Sequence, residues 1–134
     1  MMALRSPELN IRGISTIFGN TKGETALQIA HQVVRQLGGV SRSNRTPPIY
    51  KGSHSSGSPE WKSTQASEAI AAILRQEKLT IIAQGPLTNV ATVIVNHPDV
   101  VRNIDRIVMV AGKRPGNLFH PGAEGETRRG ESLD

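Results

Sequence analysis

Apolar and polar residues follow two different periods along this chain, and the switches between them predict its elements. Ile11-Arg12-Gly13-Ile14-Ser15-Thr16-Ile17-Phe18 is β-branched and rich in apolar residues, and Gly19-Asn20 stops it, the signature of a strand. From Thr21 the period lengthens. Ala26, Ile29, Ala30, Val33, Val34 and Leu37 fall on one helical stripe, which Gly38-Gly39 closes. A polar loop over 40–48 leads to a short candidate strand at Ile49-Tyr50, and 51–63, rich in Ser, Gly and Pro, is loop again. Ala66, Ala69, Ile70, Ile73 and Leu74 mark a second helix, with Ser63 or Thr64 as its N-cap. Leu79-Thr80-Ile81-Ile82-Ala83 is a compact apolar run suited to a strand buried on both faces. Pro86 suits the first turn of a third helix running through Val90, Val93 and Ile94 to a stop at His97-Pro98. Residues 104–111 repeat the buried-strand pattern, and beyond Gly112 no period survives.

Strand, helix, strand, helix, strand predicts an α/β fold, a Rossmann-like, mostly parallel sheet with helices on its faces. In such sheets ligands gather beyond the carboxyl ends of the strands. That rule selects Gly19-Asn20, the segment Gln84-Gly85-Pro86-Leu87-Thr88-Asn89, and Gly112 to Asn117.

Length and composition narrow the classes. At 134 residues there is room for one ordinary domain. No apolar run approaches the ~20 residues that span a bilayer, and no charged-then-apolar leader opens the chain, so a cytoplasmic protein is expected. Without cysteine, disulfides and thiolate chemistry are excluded. The net charge of +5 arises before residue 63, largely in the acid-free stretch Arg35, Arg42, Arg45 and Lys51. A basic loop can attract phosphate, but with only Phe18, Tyr50, Trp61 and Phe119 as aromatics, base stacking has little to work with. Nucleic acid is not the expected partner.

The strand ends carry a more specific signal. Ser6-Pro7-Glu8, followed by Gly13-Ile14, Thr16 and Gly19-Asn20, resembles the "SPE … GI-x-T-x-x-GN" segment of the inosine–uridine-preferring nucleoside hydrolases. Gly85-Pro86-Leu87-Thr88-Asn89 is similar to that family's "GPLTN" turn. Ile107-Val108-Met109-Val110-Ala111-Gly112 with Gly116-Asn117 resembles its "I-V-x-M-G-G … GN" stretch. The three segments occur in family order across roughly 1–117.

The resemblance implies a calcium-dependent hydrolase that splits ribonucleosides into free base and ribose. A divalent cation would hold the ribose diol and acidify the attacking water, while a carboxylate takes the proton. Residue by residue, the resemblance makes Asn20 and Asn117 ribose contacts, and Gln84 the donor of a backbone carbonyl to calcium. It places Val110 where some members have a substrate-contacting methionine, and Asp134 where an acidic residue opens a "(D/E)-F-N" motif. Read from the residues alone, Asn20 is a turn residue, Gln84 a ladder carbonyl, Val110 core or pocket wall, and Asp134 a charged terminus. Thr88 and Asn89 read as caps of the third helix.

Departures from the pattern matter as much. The family's aspartate-rich "D-x-D-P-G-x-D-D" loop, source of most metal ligands and of the general base, is not in this sequence. Nor is the later His-Asp element. His31, His54, His97 and His120 match no catalytic histidine; His31 and His97 read as structural, and His120 falls in an insertion-like stretch. Residues 1–134 are therefore expected to be a partial domain, truncated at both ends, that holds calcium poorly and is inactive alone. Full-length relatives are expected to be homo-oligomers. The alternatives are a non-catalytic module that binds ribose or nucleotide through Asn20 and Asn117, and an interaction protein built on the same sheet.

Overall fold

A computed structural model of the chain describes residues 2–37, 46–53 and 61–110. It is an α/β arrangement with parallel strands, as the period switches predict. After a 3-10 turn at Met2–Arg5 come β1 (Ile14–Ser15), α1 (Gly23–Leu37), β2 (Ile49–Tyr50), α2 (Gln65–Leu74), β3 (Leu79–Ala83) and α3 (Thr88–Asn96). A second 3-10 turn, Pro98–Asn103, leads into β4 (Ile104–Met109).

The strands form two parallel ladders, β1 with β2 and β3 with β4. The N–H groups of Ile14, Thr16 and Phe18 all point to the β2 side, onto the carbonyls of Pro48, Tyr50 and Ser53 at 2.9, 3.0 and 3.0 Å. Toward β3, contact is made by other means. Arg12 and Glu77 form an ion pair at 2.8 Å at one end. At the other, Gly85 approaches Ile17 so closely that a Cβ there would stand 3.1 Å from its Cγ2.

Helix α2 shows the local code best. Thr64, one of the two expected caps, accepts from the Ser67 N–H, and the Ser67 hydroxyl accepts from the Thr64 N–H in a reciprocal capping box. The helix start is also seated on the strand before it. Ala66 N–H donates to the Lys51 carbonyl (2.9 Å), and Lys51 N–H donates to Gln65 Oε1 (3.0 Å). At the far end Asn103 Nδ2 donates to the Leu74 carbonyl at 2.7 Å, satisfying one of the orphan acceptors of the last turn. Ala71 and Leu74 then meet Val93 of α3 and Val100, and Ile70, Leu79 and Ile104 close this core from the sides.

Three expectations are corrected. Ile29 is 47% exposed, so the buried stripe of α1 is narrower than its apolar pattern, and of the residues on that pattern Val34 is the one that is buried. Pro86 lies before the third helix and not in its first turn: Leu87 is the N-cap and Thr88 the first helical residue. Strand β3 is half-buried on one face and exposed on the other. Leu79, Ile81 and Ala83 turn toward the core, whereas Ile82 and its partner Val108 on β4 are 50% and 51% exposed. An open apolar ladder face favours association. Sedimentation velocity should show concentration-dependent self-association that a double Ile82→Thr, Val108→Thr variant reduces; unchanged association would place the sticky surface elsewhere.

A polar bridge ties α2 to the end of α3. His97 caps α3, and its Nε2 lies 3.0 Å from Glu68 Oε1. The Arg75 guanidinium lies 3.2 Å from the other ring nitrogen, Nδ1, so the imidazole is held between a cation and a carboxylate. The Ser63 hydroxyl donates to the same carboxylate. These two hydrogen bonds, Ser63 first and His97 second, hold the Glu68 carboxyl below its ordinary pKa. A depressed carboxyl stabilises the fold above its unfolded pKa, and that contribution fades as pH falls through the folded value. The melting temperatures of wild type and Glu68→Gln should therefore differ near pH 7 and converge on acidification through the carboxylate range. A gap independent of pH would refute this role.

Candidate active-site cleft

The carboxyl ends of β1 and β3 meet at a shallow cleft of about 240 Å³. One wall is Ile17-Phe18-Gly19-Asn20-Thr21, the segment leaving β1, and the other is Gln84-Gly85-Pro86, the turn between β3 and α3. Two of the three places selected by the strand-end rule thus form one site. The third, beyond Met109, falls with Asn117 and Asp134 outside the described residues, as do His54 and His120.

Asn20 and Gln84 both line the cleft and both are exposed, free to meet a solute. The wall that carries Asn20 is braced on each side. Gly19 N–H donates to the Thr21 carbonyl at 3.1 Å, tightening the turn around Asn20, and Gly19 packs against the Pro86 ring. Val110 stands one strand further on. Its N–H donates to the Ala83 carbonyl (3.3 Å), which extends the β3–β4 pairing to the rim, but its side chain is 81% exposed. Val110 is therefore not a core residue, and it is not among those lining the cleft.

Chemically the lining sets the apolar side chains of Ile17, Phe18 and Pro86 beside the amides of Asn20 and Gln84 and the Thr21 hydroxyl, without a carboxylate. Among the described residues no three His, Asp or Glu side chains converge. Calcium takes hard oxygen ligands, several of them usually carboxylates. The donors described here do not suffice to hold it, although a backbone carbonyl at Gln84 is of the right kind. His31 is exposed on α1 and His97 belongs to the bridge with Glu68, and neither lines the cleft.

Asn89 has a different place from the helix cap expected of it. It is 5% exposed, and α3 has no side-chain cap at its N-terminus. Its Nδ2 donates to the Thr16 carbonyl at 2.9 Å, and its Oδ1 accepts from the Ser53 N–H at 3.1 Å. Gly52 lies beside it, where a Cβ would overlap both the Thr16 carbonyl and the Asn89 carboxamide. The sequence offers little sign of either role. An Asn in the first turn of a helix and a Gly after a short strand both have ordinary local explanations.

Comparison with known proteins agrees with the strand-end segments. The family model for inosine-uridine preferring nucleoside hydrolase matches residues 1–125. The pyrimidine-specific ribonucleoside hydrolase RihA of Klebsiella pneumoniae subsp. pneumoniae is 29% identical over 92% of this chain and 47% of its own length. RihA of Escherichia coli O1:K1 is 30% identical over the same shares. The probable uridine nucleosidase 2 of Arabidopsis thaliana is 28% identical over 83% of this chain and 42% of its own. The chain thus spans about half the length of the curated relatives it matches. With the cleft at the strand ends and the match over nearly all its residues, the chain belongs to the inosine-uridine preferring nucleoside hydrolase family.

Proposed function

We propose that this chain carries the ribose-holding wall of a ribonucleoside N-glycosidase, which converts nucleoside and water to free base and ribose. The observation that carries the proposal is the cleft itself: in a chain of this family, Asn20 and the Gln84–Pro86 turn line one open site beyond the strand ends. A carboxamide donates to one ribose oxygen and accepts from a neighbouring hydroxyl, which suits a diol. Asn20 would fix the sugar while charge develops at its anomeric carbon. Asn117 would hold an outer hydroxyl, Asp134 would add a substrate contact, Val110 would reach the substrate from the rim and not from the lining, and the Gln84 carbonyl would face the metal. Calcium dependence, a role in nucleoside salvage, a cytoplasmic location and a homo-oligomeric whole protein belong to the same proposal and rest on family membership. The named relatives make pyrimidine ribonucleosides the first substrates to try.

The proton acceptor and most metal ligands must come from carboxylates beyond the cleft described here, so the 134-residue chain should bind uridine without hydrolysing it. NMR titration with uridine, alongside a base-release assay with added calcium, tests both halves. Asn20→Ala should weaken uridine by about tenfold, near the ~1.4 kcal/mol of one oriented hydrogen bond, while the melting temperature stays almost constant. Lost stability with unchanged binding would return Asn20 to the role of turn residue. Turnover by the chain that a chelator abolishes would overturn the claim that it is inactive alone. Translating the DNA on both sides of the reading frame supplies an independent check, since an aspartate-rich loop upstream is expected.

A further inference from the structure

We infer that Asn89 is a positioning residue for the cleft: its carboxamide fixes the segment leaving β1 and thereby sets where Asn20 stands. The inference rests on reading Asn20 as the ribose contact, but its geometry is independent of that reading. A parallel ladder continues when every second carbonyl on one strand, the one facing its neighbour, receives an N–H from it. Between β1 and β2 this continuation stops at Thr16. Thr16 N–H still donates to the Tyr50 carbonyl, but the Thr16 carbonyl receives Asn89 Nδ2. Ser53 N–H turns to Asn89 Oδ1, and the Ser53 carbonyl receives Phe18 N–H. The carboxamide, with a donor edge and an acceptor edge like a peptide group, is spliced into the ladder as an extra rung.

Two features make this more than a packing contact. Gly52 leaves no Cβ where the carboxamide passes, so the neighbouring backbone is shaped around it. Asn89 also lies in the first turn of α3, three residues after Pro86. The helix that holds the Thr16 end of one cleft wall is thus continuous with the turn that forms the other. Through one side chain, the separation of Asn20 from Gln84–Pro86 is set by a single rigid element.

Uridine titrations of the intact chain, its Asn20→Ala and Asn89→Ala variants and the double variant form a cycle that tests this. Asn20→Ala should weaken binding about tenfold in wild type and less than threefold when Asn89 is already alanine. Effects that simply multiply would overturn the inference, because a residue that only stabilises the fold leaves the Asn20 contact intact in the folded fraction. If Asn89→Ala does not fold, Asn89→Asp serves in the same cycle. It keeps the volume and the Ser53 contact but sets a lone pair against the Thr16 carbonyl. Wild type that fails to bind uridine would refute the ribose reading of the cleft, and amide exchange then decides the positioning role alone. Phe18 and Gly19 amides exchanging at least tenfold faster in Asn89→Asp, with β3 and β4 amides unchanged, supports it. Equal acceleration throughout sinks it.

Discussion

Leu74→Ala should lower the free energy of unfolding by about 3–4 kcal/mol, the middle of the range for buried leucines. Leu74 has no exposed surface and stands at the junction of α2, α3 and the turn before β4, against Val93 and Val100. Truncation leaves a hole that its surroundings cannot close. Ala71, its fully buried neighbour on α2, has no side chain to swing inward, and Asn103 anchors the Leu74 carbonyl, preventing the helix end from sliding. Urea denaturation measures the loss. A change below 1 kcal/mol would mean that the two helices do not share a cooperative core.

Gly52→Ala is expected to cost about 2–3 kcal/mol, for the opposite reason: too much matter, not too little. The new methyl would overlap the Thr16 carbonyl and both polar atoms of the Asn89 carboxamide. One is backbone held in a ladder, and the other is a buried side chain whose two hydrogen bonds break if it turns aside. Relief therefore requires parting the β1 end from the segment after β2. Gly19→Ala makes a matched control. Its Cβ would meet only the Pro86 ring, at an ordinary 3.6 Å, so its effect should stay within about 0.5 kcal/mol. Equal stability of the two variants would show that the space around Asn89 is looser than its geometry implies.

These residues also mark how far the amino-acid pattern could be read. The elements were legible because their signals are local. Thr64 caps α2 by side-chain chemistry confined to four residues, and His97-Pro98 stops α3 because a proline restricts the residue before it. The cleft was legible because the strand-end rule depends only on topology, and it brought Gly19-Asn20 and Gln84–Pro86 together. What escaped depends on contacts between distant segments. Ile29 has the right period for the core of α1, yet periodicity cannot say how wide a stripe its neighbours cover. Leu79–Ala83 has the composition of a doubly buried strand, but composition does not state which faces are occupied. Asn89 looks like any polar residue opening a helix. Its partners are 73 and 36 positions away, beyond the reach of a local rule.

That long reach bears on how the chain acquires its fold. The Thr16–Tyr50 rungs join segments 34 residues apart, but the next rung needs a side chain that arrives 73 residues after Thr16. Closing loops of that size is entropically costly and slow compared with forming helices. During synthesis β1 and β2 can meet while α3 is still being made, with the Thr16 carbonyl still lacking its Asn89 rung. The rung at Asn89 therefore closes only with α3 in place, so the helix that supplies one wall of the cleft also completes the other.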